Sequence, residues 1–128
     1  MDLQKTKACI EEKLDITPHF FRFPWGSSNS YVRGYKEQVI AEMKEEGIDY
    51  VDWNVSGEDS VGFPSADSIL ANVRKDYKKY NDPVILLHDS AGCRATLEAL
   101  RGIIRELKAD GYAFATLSER HKPCHFGE

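Results

Sequence analysis

Two side chains that could exchange protons follow short apolar runs in this sequence. His88 comes directly after the run 83–87, and Asp59 comes a few residues after the run that ends at Val55. Imidazole donates and accepts protons near neutral pH, and a carboxylate bonded to it fixes its orientation. The carboxyl ends of parallel strands meet at one edge of a sheet. We therefore expect the polar residues that follow these runs to lie at the same edge of a sheet, where sites of such folds are found. The simpler alternatives are a locally bonded histidine and an exposed turn carboxylate.

A third polar segment, Arg22-Phe23-Pro24-Trp25-Gly26, follows the first apolar run of the chain. Proline and glycine at this spacing favour a tight turn, which would present the Trp25 side chain to a ligand. The alternative is that Arg22 packs over neighbouring phenylalanines.

Helical and strand patterns alternate along the chain, as is typical of parallel β/α units. We predict an α/β fold in one domain, residues 1–128, with about four parallel strands alternating with helices. Ser65 is the predicted N-cap of the third helix, and Gly47 and Gly111 are the predicted ends of the second and fourth. The predicted strands span residues 19–23, 48–55, 83–87 and 112–117. The predicted helices span residues 3–14, 32–43, 65–77 and 97–107. The tail, residues 118–128, is predicted to be loosely ordered.

Charge, hydropathy and cysteine spacing argue against nucleic-acid binding, a membrane span and a disulfide or zinc-ribbon framework. The chain has 128 residues and a net charge of −4, which argues against nucleic acid as the main partner. It has no apolar run near the ~20 residues that a membrane span needs. Its first residues lack the apolar stretch of a signal peptide, so the sequence as written predicts a cytoplasmic chain. Its three cysteines lack the spacing of a disulfide framework or a zinc ribbon.

Taken together, three segments resemble the last three motifs of the polysaccharide deacetylases, the NodB-like carbohydrate esterase family 4. They are Arg22–Gly26, Trp53–Asp59 and Leu86-Leu87-His88. The resemblance covers the chain to about Leu117. It implies that the chain is the C-terminal part of such a domain, a partial distorted β/α barrel. It also implies hydrolysis of acetyl groups from N-acetylglucosamine-type glycans or peptidoglycan.

The resemblance assigns roles to individual residues. His88 would be the general acid, and Asp59 would hold it through a hydrogen bond or one bridging water. Leu86 would line the pocket for the acetyl methyl group. In the family, this arginine pairs with the catalytic base. In this chain we expect Arg22 either to pair with another carboxylate or to face solvent. The backbone N–H of Trp25 would stabilise the oxyanion. Pro24 and Trp53 would contact substrate.

The fourth motif of the family admits two registers in this sequence. In the preferred register Asp59 is the functional aspartate, while Ser56 replaces the family's first aspartate and Ser60 replaces its tryptophan. In the rival register the motif is Asp49–Trp53, and Asp52 takes the functional place. The preferred register puts an apolar strand before the motif.

The family's metal ligands and catalytic base belong to two earlier motifs that this sequence lacks. The resemblance thus implies a divalent metal, zinc or cobalt, for the full domain and none at the usual site here. We therefore expect the chain alone to be inactive or nearly so. A tail cluster of His121, Cys124 and His125 could chelate a metal, although an incidental tail is the simpler interpretation.

Two other functions stay open at this stage. The chain could be a non-catalytic remnant that binds sugars through Trp25, Trp53 and Tyr31, or a fragment that needs a complementary N-terminal half. Bare strand edges predict association as a homodimer. Intact members of the family are usually secreted or attached to the cell envelope.

Overall fold

The computed structural model describes residues 2–127, and the chain divides into two compact units. The first unit holds the described residues up to Asp52 together with those from Leu117 onward. The second unit is Trp53–Thr116. Each unit contains one pair of short parallel strands.

Helices and strands alternate along the chain, except that two strands follow one another directly in its middle. The first unit contains α1 (Asp2–Leu14), β1 (Phe20–Phe21), α2 (Lys36–Glu45), β2 (Asp49–Tyr50) and a short 3-10 helix (Leu117–Glu119), and the second contains β3 (Val55–Ser56), α3 (Ala66–Tyr77), β4 (Ile85–Leu86) and α4 (Arg94–Ala109). Within the described residues no helix is both long and apolar enough to cross a membrane.

The second unit has a core in which α3 and α4 pack beside β3. Ser65 begins α3 as predicted, because its Oγ accepts the Ser68 N–H at 3.2 Å. Such a cap stabilises a helix by about 1 kcal/mol. An Arg74–Glu106 ion pair joins the two helices on the outside. The buried core side chains are Val55, Ile69, Val73, Tyr77, Ala99, Ile103 and Leu107.

Helix α4 ends at the predicted glycine. Gly111 has a φ of +90°, which residues with a Cβ rarely adopt. Its N–H bonds to the Lys108 carbonyl at 3.1 Å, and the Tyr112 N–H bonds to the Leu107 carbonyl at 3.0 Å. This paired arrangement satisfies the last carbonyls of the helix. Helix α2 ends in the same way at Gly47.

The single strand predicted over 48–55 is wrong, since the segment contains the separate strands β2 and β3. The Asp52 N–H bonds to the Cys124 carbonyl, whereas the Asn54 N–H bonds to the Val84 carbonyl. The backbone therefore changes partners between these two residues, and one continuous ladder cannot form.

The strand predicted over 112–117 is also wrong, because residues 112–116 have no strand structure. The Tyr112 N–H belongs to the end of α4, and its hydroxyl donates to the Tyr80 carbonyl at 2.9 Å. Phe114 is exposed. An alternation of apolar and polar side chains does not produce a β-strand unless a neighbouring strand offers backbone hydrogen bonds.

The sequence predicts an apolar face of α4 made of Leu97, Leu100, Ile103, Ile104 and Leu107, and this prediction is correct only in part. Ile103 and Leu107 are buried, but the residues that complete the buried stripe are Thr96 and Ala99. Leu97, one position beyond Thr96, is 73% exposed. Consecutive helix residues point about 100° apart, so a stripe through Thr96 leaves Leu97 outside.

The tail predicted to be loosely ordered is anchored at residues 124–126. Cys124 is buried, and the His125 ring stacks on the Tyr50 ring with centroids 3.9 Å apart. The Phe126 N–H donates to the Asp52 carboxylate at 3.0 Å. The prediction failed because these partners are more than seventy residues away in the chain.

Candidate active site

The strands β3 and β4 bring two chemically active side chains together in the second unit. The two strands are parallel, with Val55 opposite Ile85 and Ser56 opposite Leu86. The Gly57 N–H continues the ladder to the Leu86 carbonyl at 3.1 Å. Since both strands run in the same direction, Asp59 and His88 follow the same edge of the pair.

The hydrogen bond expected between Asp59 and His88 is present. His88 Nδ1 lies 2.8 Å from Asp59 Oδ1, and the His88 backbone N–H donates to Oδ2 at 2.7 Å. The Asp59 side chain is 1% exposed, whereas the imidazole is 31% exposed. The carboxylate is thus buried beneath a ring that solvent can reach.

The pKa of Asp59 is lowered by its hydrogen bonds. Burial by itself would raise this pKa, but bonds from the Thr96 hydroxyl, the His88 ring and the His88 N–H outweigh it. The carboxylate is therefore ionised at neutral pH and can only accept hydrogen bonds. His88 Nδ1 must accordingly carry a proton to donate to this carboxylate, which leaves Nε2 as the ring nitrogen that does not contact Asp59.

Thr96 is a member of this group that sequence reasoning missed. It lies in the first turn of α4, is buried, and its Oγ1 donates to Asp59 Oδ2 at 2.7 Å. The sequence did contain one signal for it, because Thr96 places a hydroxyl in the first turn of the helix that follows His88. Its role was hidden because threonine at a helix start is also a common capping residue.

The carboxylate of the rival register has other partners, all in the first unit. Asp52 is buried and accepts the Ser27 N–H at 2.9 Å, the Ser27 hydroxyl at 2.6 Å and the Phe126 N–H at 3.0 Å. It therefore joins the segment after the Arg22–Gly26 turn to the C-terminal segment. The carboxylate that His88 contacts is that of Asp59.

The Arg22–Gly26 segment forms the tight turn that the sequence predicts. The Gly26 N–H bonds to the Phe23 carbonyl at 2.8 Å, and Trp25 has a φ of +59°. The third position of such a turn normally takes glycine, since a side chain is strained there. Trp25 is 75% exposed, and Arg22 is also exposed.

The remaining predicted site residues fall in both units. Leu86 is half-buried in β4, and Trp53 is half-buried at the start of the second unit. Pro24 is exposed in the turn of the first unit. Throughout residues 2–127, no three histidine, cysteine or acidic side chains are grouped so that they could hold a metal ion, and this includes the tail cluster.

Replacing Gly57 by alanine is expected to destabilise the second unit by about 1–3 kcal/mol. A Cβ at this position would lie 2.5 Å from Leu87 Cδ2 and 3.1 Å from Ile69 Cγ2, and Ile69 is fully buried. Gly57 directly follows β3 and Leu87 directly follows β4, so the clash falls in the segments that lead to Asp59 and His88. Urea unfolding measures the change.

Gly92→Ala is the matched control, because a Cβ there meets no atom within 4 Å. An equal loss in both variants would contradict the close approach at Gly57.

Replacing Asp52 by alanine is expected to cost about 3 kcal/mol of unfolding free energy, because three donors lose a buried charged acceptor. Asp49→Ala, which removes an exposed carboxylate three residues earlier, should cost less than about 1 kcal/mol. Equal melting temperatures for the two variants would show that Asp52 does not hold the first unit together.

The sequence and the fold of this chain were compared with those of known proteins. No family profile matches the chain. A peptidoglycan-N-acetylglucosamine deacetylase of Bacillus cereus is 35% identical over 111 residues, which are 84% of this chain and 47% of the relative. The chain therefore spans about half the length of that relative.

Solved structures agree with the sequence match. The catalytic domain of a peptidoglycan N-acetylglucosamine deacetylase from Eubacterium rectale superposes with a TM-score of 0.84 at 29% identity, over 96% of this chain and 57% of the other. A mutant of a CE4 family pseudoenzyme with restored enzymatic activity superposes with a TM-score of 0.76 at 25% identity, over 96% of this chain and 40% of the other. The chain belongs to the polysaccharide deacetylases of carbohydrate esterase family 4, as a partial domain.

Proposed function

We propose that this chain supplies the general-acid part of a deacetylase that acts on N-acetylglucosamine-type glycans. The observation that carries the proposal is the Asp59–His88 hydrogen bond, with the carboxylate buried and the imidazole accessible. Relatives named as peptidoglycan deacetylases support the substrate class. We also propose that the chain is the C-terminal part of a distorted β/α barrel.

In the proposed reaction, water adds to the acetyl carbonyl carbon, and the bond from that carbon to the sugar nitrogen then breaks. His88 Nε2 gives a proton to the departing nitrogen, so that the products are acetate and an amine. Asp59 holds the ring through Nδ1 and stabilises the imidazolium before the proton leaves. Thr96 keeps the carboxylate in place.

Further roles follow from the resemblance to the family. The Trp25 N–H would donate to the oxyanion, a contact worth about 3 kcal/mol in comparable sites. Leu86 would line the pocket for the acetyl methyl group, and Pro24 and Trp53 would contact the sugar. Arg22 would pair with a catalytic base from outside this chain.

The described residues do not fit a metal ion, because residues 2–127 offer no group of three suitable side chains. We propose that the metal ligands, for zinc or cobalt, and the base lie in the part of the relatives that this chain does not match. On this proposal the chain alone turns over little or no substrate.

A fusion tests the proposed function. It joins this chain to the part of the Bacillus cereus relative outside the matched residues, and we call it the restored domain. Acetate release from N-acetylglucosamine oligomers is measured with added zinc or cobalt. We expect release by the restored domain and little by the chain alone. A folded restored domain that releases no acetate under either metal would overturn the proposal.

A second candidate function is non-catalytic glycan binding. The structural likeness to a CE4 pseudoenzyme and the exposed Trp25 side chain favour it. The same fusion discriminates between the two, because a restored domain that binds oligomers without releasing acetate would be a binding module. Association as a homodimer stays a prediction, which light scattering of the chain at tens of micromolar checks.

A further inference from the structure

We propose that Asn29 is a positioning residue, which fixes the direction of the Trp25 backbone N–H by holding the peptide between Pro24 and Trp25. The inference rests on the proposed function, in which this N–H donates to the oxyanion, and it adds a residue that the roles above leave out. No acceptor among the described residues takes the Trp25 N–H, so this donor is available to a ligand.

The hydrogen bond that closes the turn does not by itself decide where the Trp25 N–H points. The bond runs from the Gly26 N–H to the Phe23 carbonyl, and two turn types share it. They differ by a flip of the central peptide, which here consists of the Pro24 carbonyl and the Trp25 N–H. The φ of +59° at Trp25 selects the type II form. Tryptophan is strained at this φ, so its side chain favours the flipped form.

The Asn29 side chain holds the central peptide in the strained orientation. Its Nδ2 donates to the Pro24 carbonyl at 2.8 Å and to the Gly26 carbonyl at 2.5 Å, while its Oδ1 accepts the Tyr31 N–H at 2.9 Å. Since carbonyls only accept and backbone N–H groups only donate, the amide has one orientation here. The Pro24 carbonyl belongs to the same peptide as the Trp25 N–H. A flip of that peptide would therefore break the bond to Nδ2.

Both ends of the turn are anchored in the first unit, so the central peptide is the part that can still rotate. Phe23 is buried and packs on Tyr50, with ring centroids 5.8 Å apart. Ser27 directly follows the turn, and Asp52 accepts its N–H at 2.9 Å and its hydroxyl at 2.6 Å. These contacts fix the place of the turn, but they reach neither the carbonyl nor the N–H of the central peptide. The orientation of that peptide therefore depends on Asn29.

Asn29→Asp tests this role, because aspartate has the same shape and keeps the acceptor for Tyr31 but loses the donors to both turn carbonyls. In the restored domain we expect kcat to fall about 10- to 100-fold, since a single oxyanion donor contributes about 10²- to 10³-fold. KM should stay within about threefold. Ser30→Asp is the matched control, because it adds the same charge at the exposed next position and should leave kcat unchanged.

A glycine background separates positioning from a merely structural role. Trp25→Gly keeps the backbone N–H, and glycine adopts a positive φ without strain, so the type II turn no longer needs Asn29. Relative to Trp25→Gly alone, the double variant with Asn29→Asp should lower kcat by less than about threefold. If Asn29 only supported the fold, the loss would be equal in both backgrounds.

NMR of the 128-residue chain reports the orientation of the peptide without any activity. In the type II form the Pro24 Hα lies close to the Trp25 amide proton, and the flip moves the two protons apart. We expect a strong NOE between them in the wild type and in Ser30→Asp, and a weak one in Asn29→Asp. An NOE of unchanged strength in Asn29→Asp would overturn the inference, whatever the activity of the restored domain.

The outcomes distinguish this inference from the proposed function. An active restored domain whose kcat ignores Asn29→Asp, or falls equally in both backgrounds, would refute the inference and leave the deacetylase proposal standing. A restored domain that releases no acetate would overturn the proposed function, and the NOE would still decide whether Asn29 holds the peptide.

Discussion

Replacing His88 by alanine in the restored domain is expected to lower kcat for amide hydrolysis by about 10²- to 10⁴-fold. The variant lacks the group that would protonate the departing nitrogen, and this contribution is made in the transition state. We therefore expect KM to change little. The imidazole is partly exposed, so its loss should leave the fold intact, which circular dichroism checks.

Asp89→Asn is the matched control for this variant. Asp89 is exposed, directly follows His88 and carries a charge that the substitution removes. Its kcat should stay within about threefold of the unmodified domain. If Asp89→Asn and His88→Ala slowed the reaction equally, the effect would belong to the loop and not to the imidazole.

Replacing Asp59 by asparagine in the 128-residue chain is expected to lower the free energy of unfolding by about 3 kcal/mol. The buried carboxylate accepts from the His88 N–H, the His88 ring and the Thr96 hydroxyl. An amide nitrogen in place of one oxygen would face a donor. Glu58→Gln, at the exposed neighbouring position, should change stability by less than about 0.5 kcal/mol.

The effect of Asp59→Asn on stability is also expected to depend on pH, and the direction of this dependence follows from the lowered pKa of Asp59. The folded pKa of Asp59 is lowered, so its stabilisation is complete above the unfolded pKa of about 3.9 and is lost as the pH falls through the folded pKa. The difference in stability between wild type and Asp59→Asn should therefore shrink in acid below about pH 4. A difference that stays constant down to pH 2, in urea melts on a folded sample, would contradict the ionised, hydrogen-bonded carboxylate.

The contact between Asp59 and His88 was predicted from the resemblance to the family's motifs, and the local sequence pattern agrees with it. Each residue follows an apolar run, and the carboxyl ends of parallel strands lie together. The local pattern alone predicted the helix cap at Ser65 and the glycine ends at Gly47 and Gly111, which depend on a few neighbouring residues.

The features that the sequence did not reveal depend on partners far apart in the chain. The C-terminal segment is held by Asp52 and Tyr50, and nothing in its own composition indicates this. Thr96 bonds to a carboxylate 37 residues earlier. The buried face of α4 was misassigned at Leu97 because the helix has apolar residues on more than one side, and only tertiary packing selects the stripe through Thr96.

The central claim is that Asp59 acts on the reaction through His88. A double-mutant cycle on kcat of the restored domain tests it most directly, with Asp59→Asn, His88→Ala and both together, at a temperature where circular dichroism shows all of them folded. If the two residues act as a unit, the double variant will be about as slow as His88→Ala alone. Multiplicative losses, with the double variant slower by the product of the two single effects, would show that Asp59 and His88 work independently and would contradict the account.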